Sequence, residues 1–444
     1  MFRSKSAYSG LLHGICLVIL ILPATRVFAQ LANSPWPDYG GGYLNQHRSP
    51  SVGPSAPQIL WAFDLQTIQA TGGFKRGHHQ PILLPDGTLV LNTADSTNDQ
   101  IVAINPNGTL RWNVSASSLG PWLAADADKI YTIRQTYAAS SSTQLRSVNF
   151  NGSTIWNVSL PGSNPTQNGP AIARSGAIYG ANDFSSLVAV NPNGTTAWTS
   201  GASGYYVNPA VATDGTIVAG GTTLKSISPA GVVLWEKPTR TALGKFPAYL
   251  SPAISDDGTI YAGQINYPNL LALSSSGAQL WARTDLDGAP AIGTNGKVYV
   301  VSESGILSAL NPLDGSTLWT YATGKTDYYN SEGATIDANG SLYVSNDQGV
   351  LMSLTPGGQL RWSMDLAPDI SGFVGIGAPI IGSSGVLYVV GGHTGKVFAI
   401  GVPEPSGVLM SVLSLVGLIW IAAHSDRDRN GYKGKKPCSS HSVQ

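Results

Sequence analysis

Cysteine is nearly absent: the 444-residue chain has two, Cys16 and Cys438. With none between them, the body of the protein has no disulfide framework, thiolate zinc site or cysteine nucleophile, and its stability rests on packing. Charge is also scarce, at 11% of residues, with 25 Lys and Arg against 25 Asp and Glu. That balance leaves neither a basic footprint for nucleic acid nor an acidic tail, so no nucleic-acid partner is expected. Helical periodicity is missing from the repeating part of the chain. So are the G-x-S-x-G elbow, the phosphate-binding loop and the His-Glu-x-x-His segment, which argues against the hydrolases, nucleotide enzymes and metalloproteases that carry them. What is abundant is glycine, at 52 residues, with 11 Trp and 18 Tyr. Many tight turns and a large aromatic core point to an ordered, all-β protein.

The two ends differ from the middle. Arg3 and Lys5 precede an apolar run from Ile15 to Leu22, then Pro23 and the small-residue pattern Val27-Phe28-Ala29. This order predicts a signal peptide over 1–29, removed before Gln30, and hence export across the cytoplasmic membrane. Cys16 lies ahead of most of the apolar run, where it does not suit lipid attachment. At the other end Val402 opens a segment with "VPEP", an apolar run from Val408 to Ala423, and basic residues from Arg427 to Lys436. Proline stops secondary structure, the apolar run halts in a membrane over 402–423, and the basic tail over 424–444 stays cytoplasmic.

Between these ends lies a repeat. Segments such as "NPNGTLRWNV", "NPNGTTAWTS" and "NPLDGSTLWTY" set a tryptophan after a glycine turn at Trp112, Trp156, Trp198, Trp235, Trp281, Trp319 and Trp362. Upstream of the later ones, an apolar strand meets an Asp-Gly or Asn-Gly turn and an alternating strand, as in "SPAISDDGTIYAG". Four short strands in about 40 residues is the period of a propeller blade. The last module stops at Gly401 with three strands and no tryptophan, while Trp61 stands ahead of the first module without one. Joining the two gives an eight-bladed β-propeller of four-stranded antiparallel blades over 55–401, closed by the Trp61 strand and free of exposed sheet edges. Seven blades with an odd terminal sheet is the alternative. Residues 30–54 are left as a lead-in.

The Pro-led strand, the D-G-x-x-Y turn and "ALNPLDGSTLW" (Ala309 to Trp319) resemble the pyrroloquinoline-quinone-like propeller superfamily, and the likeness extends roughly from Trp36 to Gly401. It implies the propeller fold. That superfamily holds both quinone dehydrogenases, with cofactor and calcium near the axis, and non-catalytic members such as the lipoproteins of the outer-membrane barrel-assembly machinery. The chain has no adjacent cysteine pair of the dehydrogenase kind and lacks long inserted loops, so the likeness leans to the non-catalytic side, with no cofactor expected. Pyrroloquinoline quinone and calcium belong to the alternative, an oxidoreductase of alcohols or sugars. Pro403, Glu404 and Pro405 with the run that follows resemble the PEP-CTERM sorting signal. That likeness implies an exosortase-type processing enzyme as a partner, and membrane anchoring or release to the outer surface; an uncleaved tail anchor is the other reading.

Connections from each outer strand to the next inner strand cross one face toward the axis. They carry Lys75, Arg76, His78, His79, Tyr205, Tyr206, Asn208, Tyr249, Asp287, Tyr328, Tyr329, Asn330 and Glu332. Aromatic rings that stack and amides that orient would suit a protein or polysaccharide partner at that mouth. The same residues can equally plug the channel and solvate its rim. Adjacent His78 and His79 point to opposite faces on a strand and do not make a metal pair, so no metal site is expected. The expected role is an exported, envelope- or matrix-associated binding or scaffolding module.

Overall fold

The computed structural model describes residues 31–68, 80–93, 99–115, 119–136, 142–161, 169–181, 185–204, 207–239, 248–265, 268–324, 333–368, 376–391 and 394–402. They form an eight-bladed β-propeller. Blade 1 is built from Ile82–Leu83, Leu89–Thr93, Gln100–Ile104 and Leu110–Ser115, ordered from the axis outward. Blades 2 to 7 repeat this order over 119–160, 171–204, 207–238, 248–283, 290–322 and 335–365. In blade 5 the inner strand is split into Ala248–Tyr249 and Ala253–Ile254, both paired with Ile260–Ile265.

Blade 8 takes Ile380–Ile381, Leu387–Gly391 and Lys396–Gly401 from one end of the chain and Gln58–Asp64 from the other. The closing pair runs antiparallel from Gln58 opposite Gly401 to Asp64 opposite Lys396. The shared blade expected from the unpaired Trp61 strand is therefore present. The seven-bladed alternative fails because blade 2, the least regular module in sequence, forms a full four-stranded sheet with eight-residue second and third strands.

Strand register explains the tryptophans. In blade 6 Tyr299 lies opposite Ala309, and Ala309 opposite Trp319, so one small residue separates two large rings on neighbouring strands. Ala or Ser fills that middle position in every blade: Ala103, Ser147, Ala189, Ser226, Ala272, Ser353 and Ala399 face Trp112, Trp156, Trp198, Trp235, Trp281, Trp362 and Trp61. Each indole N–H then leaves its own blade and donates to a backbone carbonyl of the next, from Trp61 to Pro106 at 2.9 Å around to Trp319 to Pro356 at 3.1 Å. Trp362 completes the circle by donating to Pro54 at 3.0 Å.

Eight apolar clusters fill the ring, one at each seam between neighbouring blades. The seam between blades 8 and 1 joins Tyr388, Val390 and Ala399 to Leu83, Leu89 and Val102, as continuous as the others although the chain ends meet there. Equivalent seams leave no privileged place at which the sheet can open.

Candidate axial site

A propeller leaves the innermost strand of each blade with one unpaired edge turned to the axis. Those backbone groups must find partners or water. Here the lead-in supplies them. Residues Trp36 to His47 cross the end of the channel where inner strands run into their first turns, and their carbonyls accept from the last residue of six inner strands. Leu83 donates to Trp36, Ala125 to Pro37, Val211 to Tyr43, Ile254 to Leu44, Ile292 to Gln46 and Ile336 to His47, at 2.6 to 2.9 Å. Blade 3 joins through Arg174, whose guanidinium lies 4.4 Å from the Tyr43 ring centroid, and blade 8 through Ser49 Oγ, which donates to Ile381 at 3.4 Å. The lead-in is thus a plug tied to all eight blades.

Its turn is tight. Gly40, Gly41 and Gly42 have φ of 73, 78 and 153°, and a Cβ on Gly40 would stand 2.6 Å from Asn45 Cα. Only glycine fits where the turn doubles back on itself. The turn lowers polar side chains into the channel. Asn45 Nδ2 donates to the carbonyls of Asn208 and Pro252, and Gln80 Oε1 accepts from the Gly40 N–H. Tyr39 meets His47 and Trp122 edge-on at 5.0 and 5.6 Å.

Four of these buried side chains keep unused hydrogen-bonding capacity. Asp38 Oδ1, both ring nitrogens of His47, Gln80 Nε2 and Asn208 Nδ2 have no hydrogen-bond partner among the described residues. Burial pushes the Asp38 carboxyl up to about 8, opposed only by the Gly42 N–H, and pushes the His47 imidazole down to about 4. At neutral pH the site is therefore uncharged: a protonated acid, a neutral imidazole and two carboxamides. Such a set suits polar, uncharged groups.

The two shifts set the stability profile. Asp38 is raised in the fold, so its contribution is complete below the unfolded value of 3.8 and is lost as pH climbs to about 8. His47 is depressed, so its contribution is present above 6.5 and is lost as pH falls to about 4. From about 4 to 6.5 the slopes of this pair cancel; above that Asp38 is the one of the two still acting and costs about 1.4 kcal/mol per pH unit. Urea midpoints measured from pH 6.5 to 8 are expected to fall in the native protein and to fall by far less in Asp38→Asn. A decline of equal slope in the variant would assign it to another group. Burial also raises Asp126 and Asp287, and the variant separates their share.

Of the side chains read from sequence as facing the mouth, Asn208 reaches the axis, where its Oδ1 accepts from the Gly169 N–H at 2.7 Å. Tyr249 is buried in the seam between blades 4 and 5, its hydroxyl donating to Pro238 at 3.2 Å. Asp287 is buried and accepts from the Glu303 N–H at 2.9 Å, fixing a loop between blades. Lys75, Arg76, His78, His79, Tyr205, Tyr206, Tyr328, Tyr329, Asn330 and Glu332 lie outside the described residues, as do Pro403, Glu404, Pro405 and the run 408–423. No helix among the described residues is long and apolar enough to cross a membrane. Asp38, Tyr39, Asn45 and His47 were not among the sequence candidates. Their one local signal is a polar, glycine-rich stretch, "DYGGGYLNQH", with no strand alternation.

The profile of a family described as outer membrane protein assembly factor BamB matches residues 141–284 and, overlapping them, 220–404. Among solved structures, BamB from Moraxella catarrhalis aligns with a TM-score of 0.59 at 15% identity, over 78% of this chain and 100% of its own. Quinohemoprotein alcohol dehydrogenase from Comamonas testosteroni aligns with a TM-score of 0.65 at 12% identity, over 83% of this chain and 81% of its own. A europium-containing methanol dehydrogenase gives 0.58 at 11%, over 83% of this chain and 98% of its own. No curated protein sequence matches the chain. The likeness of the repeats to pyrroloquinoline-quinone-like propellers is borne out; at these identities the structural matches carry the fold alone.

Proposed function

The chain belongs to the family described as outer membrane protein assembly factor BamB, and from that membership we propose that it is a binding and scaffolding module of the cell envelope whose partner is a protein. The observation that carries this reading is the plug. The chain spends its own lead-in on the unpaired edges of six inner strands, which makes the ring one rigid body. A rigid ring held from its axis presents loops and blade edges in fixed positions, which suits docking. Export and exosortase-type processing are part of the proposal, supported by the order of basic, apolar and small residues at the N-terminus and by Pro403, Glu404 and Pro405 ahead of the second apolar run.

The rival is a quinone-dependent oxidoreductase, favoured by the fold shared with the alcohol and methanol dehydrogenases. Pyrroloquinoline quinone with calcium asks for several anionic oxygens around the ion and cationic donors for the quinone carboxylates. Among the described residues the carboxyl buried inside the plugged channel, Asp38, is neutral below about pH 8, Asp256 at the same end is taken up by Arg48, and no group of three metal-binding side chains is present. That set does not fit the pair.

One preparation tests both readings. The purified protein is expected to capture a discrete envelope protein in cross-linking from its own host. Its absorption spectrum and melting temperature should be unchanged by quinone plus calcium. A retained quinone spectrum with a melting temperature several degrees higher, together with substrate oxidation, would reverse the assignment.

A further inference from the structure

The plug has a second face, turned away from the channel. There the glycine run 40–42, Tyr43, Arg48 and Arg174 line a pocket of about 160 Å³. The floor is backbone: a Cβ on Gly41 would meet the Trp36 ring at 3.2 Å, and above Gly42 nothing lies within 4 Å. Typical cofactor pockets hold roughly 300–1,000 Å³. This one has room for a single small group.

Its charge departs from the repeat. The residue after each inner strand's closing pair begins the first turn, at the plugged end of the ring. In six blades it is Pro85, Ala127, Thr213, Thr294, Ala338 or Ser383; in blades 3 and 5 it is Arg174 and Asp256. Asp256 is already engaged. Arg48 Nη2 donates to both its oxygens at 2.8 and 2.9 Å, and Gln46 Nε2 donates to one at 3.1 Å. Arg174 stacks on Tyr43 and pairs with no carboxylate among the described residues. Of the two guanidinium groups that line the pocket, Arg48 is matched by Asp256 and Arg174 is not matched, so Arg174 is the lining's unpaired positive charge.

We propose that this pocket binds the carboxylate of a small acidic ligand or of an acidic residue, with Arg174 as the principal donor. A planar guanidinium held on an aromatic face offers a preformed fork that matches the two oxygens of a carboxylate. The one unpaired guanidinium balances a monoanion better than a phosphate dianion. Arg48, oriented by Asp256, forms the far wall and becomes a second donor when Asp256 lets it go.

Titration with N-acetyl-aspartate amide at low ionic strength, followed by chemical shifts or calorimetry, tests the site. Binding is expected in the millimolar range, about tenfold tighter than for the asparagine counterpart, and weakened by salt. Arg174→Gln should bring aspartate down to the asparagine level, and Arg174→Lys should fall between. Asp256→Asn, which frees Arg48, should tighten binding several-fold, so two variants of opposite sign bear on the site even if one folds poorly. Equal binding of aspartate and asparagine, or full binding in Arg174→Gln, would overturn the assignment. Inorganic phosphate binding more tightly than aspartate would overturn the choice of carboxylate. Because the probes are small molecules, failure here leaves the protein-partner reading untouched, and the reverse holds.

Discussion

A chain shortened to begin at Gly53 is expected to lose most of its folding stability even though every strand of the propeller remains. Six inner-strand N–H groups lose their carbonyl partners. The channel then admits water, so the net loss is about 0.5–1.5 kcal/mol for each, or roughly 3–9 kcal/mol together. Trp36, fully buried between blades 8 and 1, leaves a hole in that seam worth about 3–5 kcal/mol more. Stabilities of native domains run to about 5–15 kcal/mol, so the sum is comparable with the whole. The expected result is a shortened chain that melts far below the native protein or fails to melt cooperatively, with recovery when a peptide of residues 31–52 is added. A melting curve like the native one would make the lead-in a passenger. Asn45→Ala with Gln46→Ala in the full chain, which removes side-chain bonds but keeps the carbonyls, should cost far less.

The lead-in also marks where sequence stops being readable. Blade structure is legible because the sequence states it many times over: a glycine turn, a small residue in the third strand and a tryptophan in the fourth recur, so one irregular copy such as blade 2 is outvoted. The closure is legible for the same reason, since the Trp61 strand is recognisable as the piece missing after Gly401. The segment from Trp36 to His47 occurs once. It has no period, and its partners are far off in the chain: Asn45 bonds Asn208 and Gln46 bonds Ile254, at separations of 163 and 208 residues. Nothing local says that its polar residues are buried. Tyr249 and Asp287 show the converse difficulty. A tyrosine or an aspartate in a connection reads the same whether it turns to the channel or into the body of the ring; here Tyr249 is buried in a seam and Asp287 is buried against the Glu303 N–H. Asp337, at the head of a turn, is likewise taken up within the fold, by the N–H groups of Gly53, Asn339 and Ser341 and by the Tyr343 hydroxyl.

Trp281→Ala is expected to cost about 3–5 kcal/mol, because it empties one seam of its largest side chain. Trp281 is buried, lies 5.7 Å from the Tyr261 ring, and donates its indole N–H to Pro312 of the next blade at 2.8 Å. Trp281→Phe keeps most of the area and loses that bond, so about 1 kcal/mol is expected. The decisive variant is on the other side of the seam. Gly315 sits over the indole with φ of 70°, and a Cβ there would stand 2.7 Å from Trp281 Cε3. Gly315→Ala must therefore displace the indole as well as strain the turn. In the Trp281→Ala background the ring is gone and only the strain remains, so the double variant should be more stable than the two single losses predict. Urea melts of the four proteins measure this coupling. A coupling near zero would mean that the tryptophans act as buried area alone, and that the glycine preceding each one serves its own turn instead of seating the indole of the neighbouring blade.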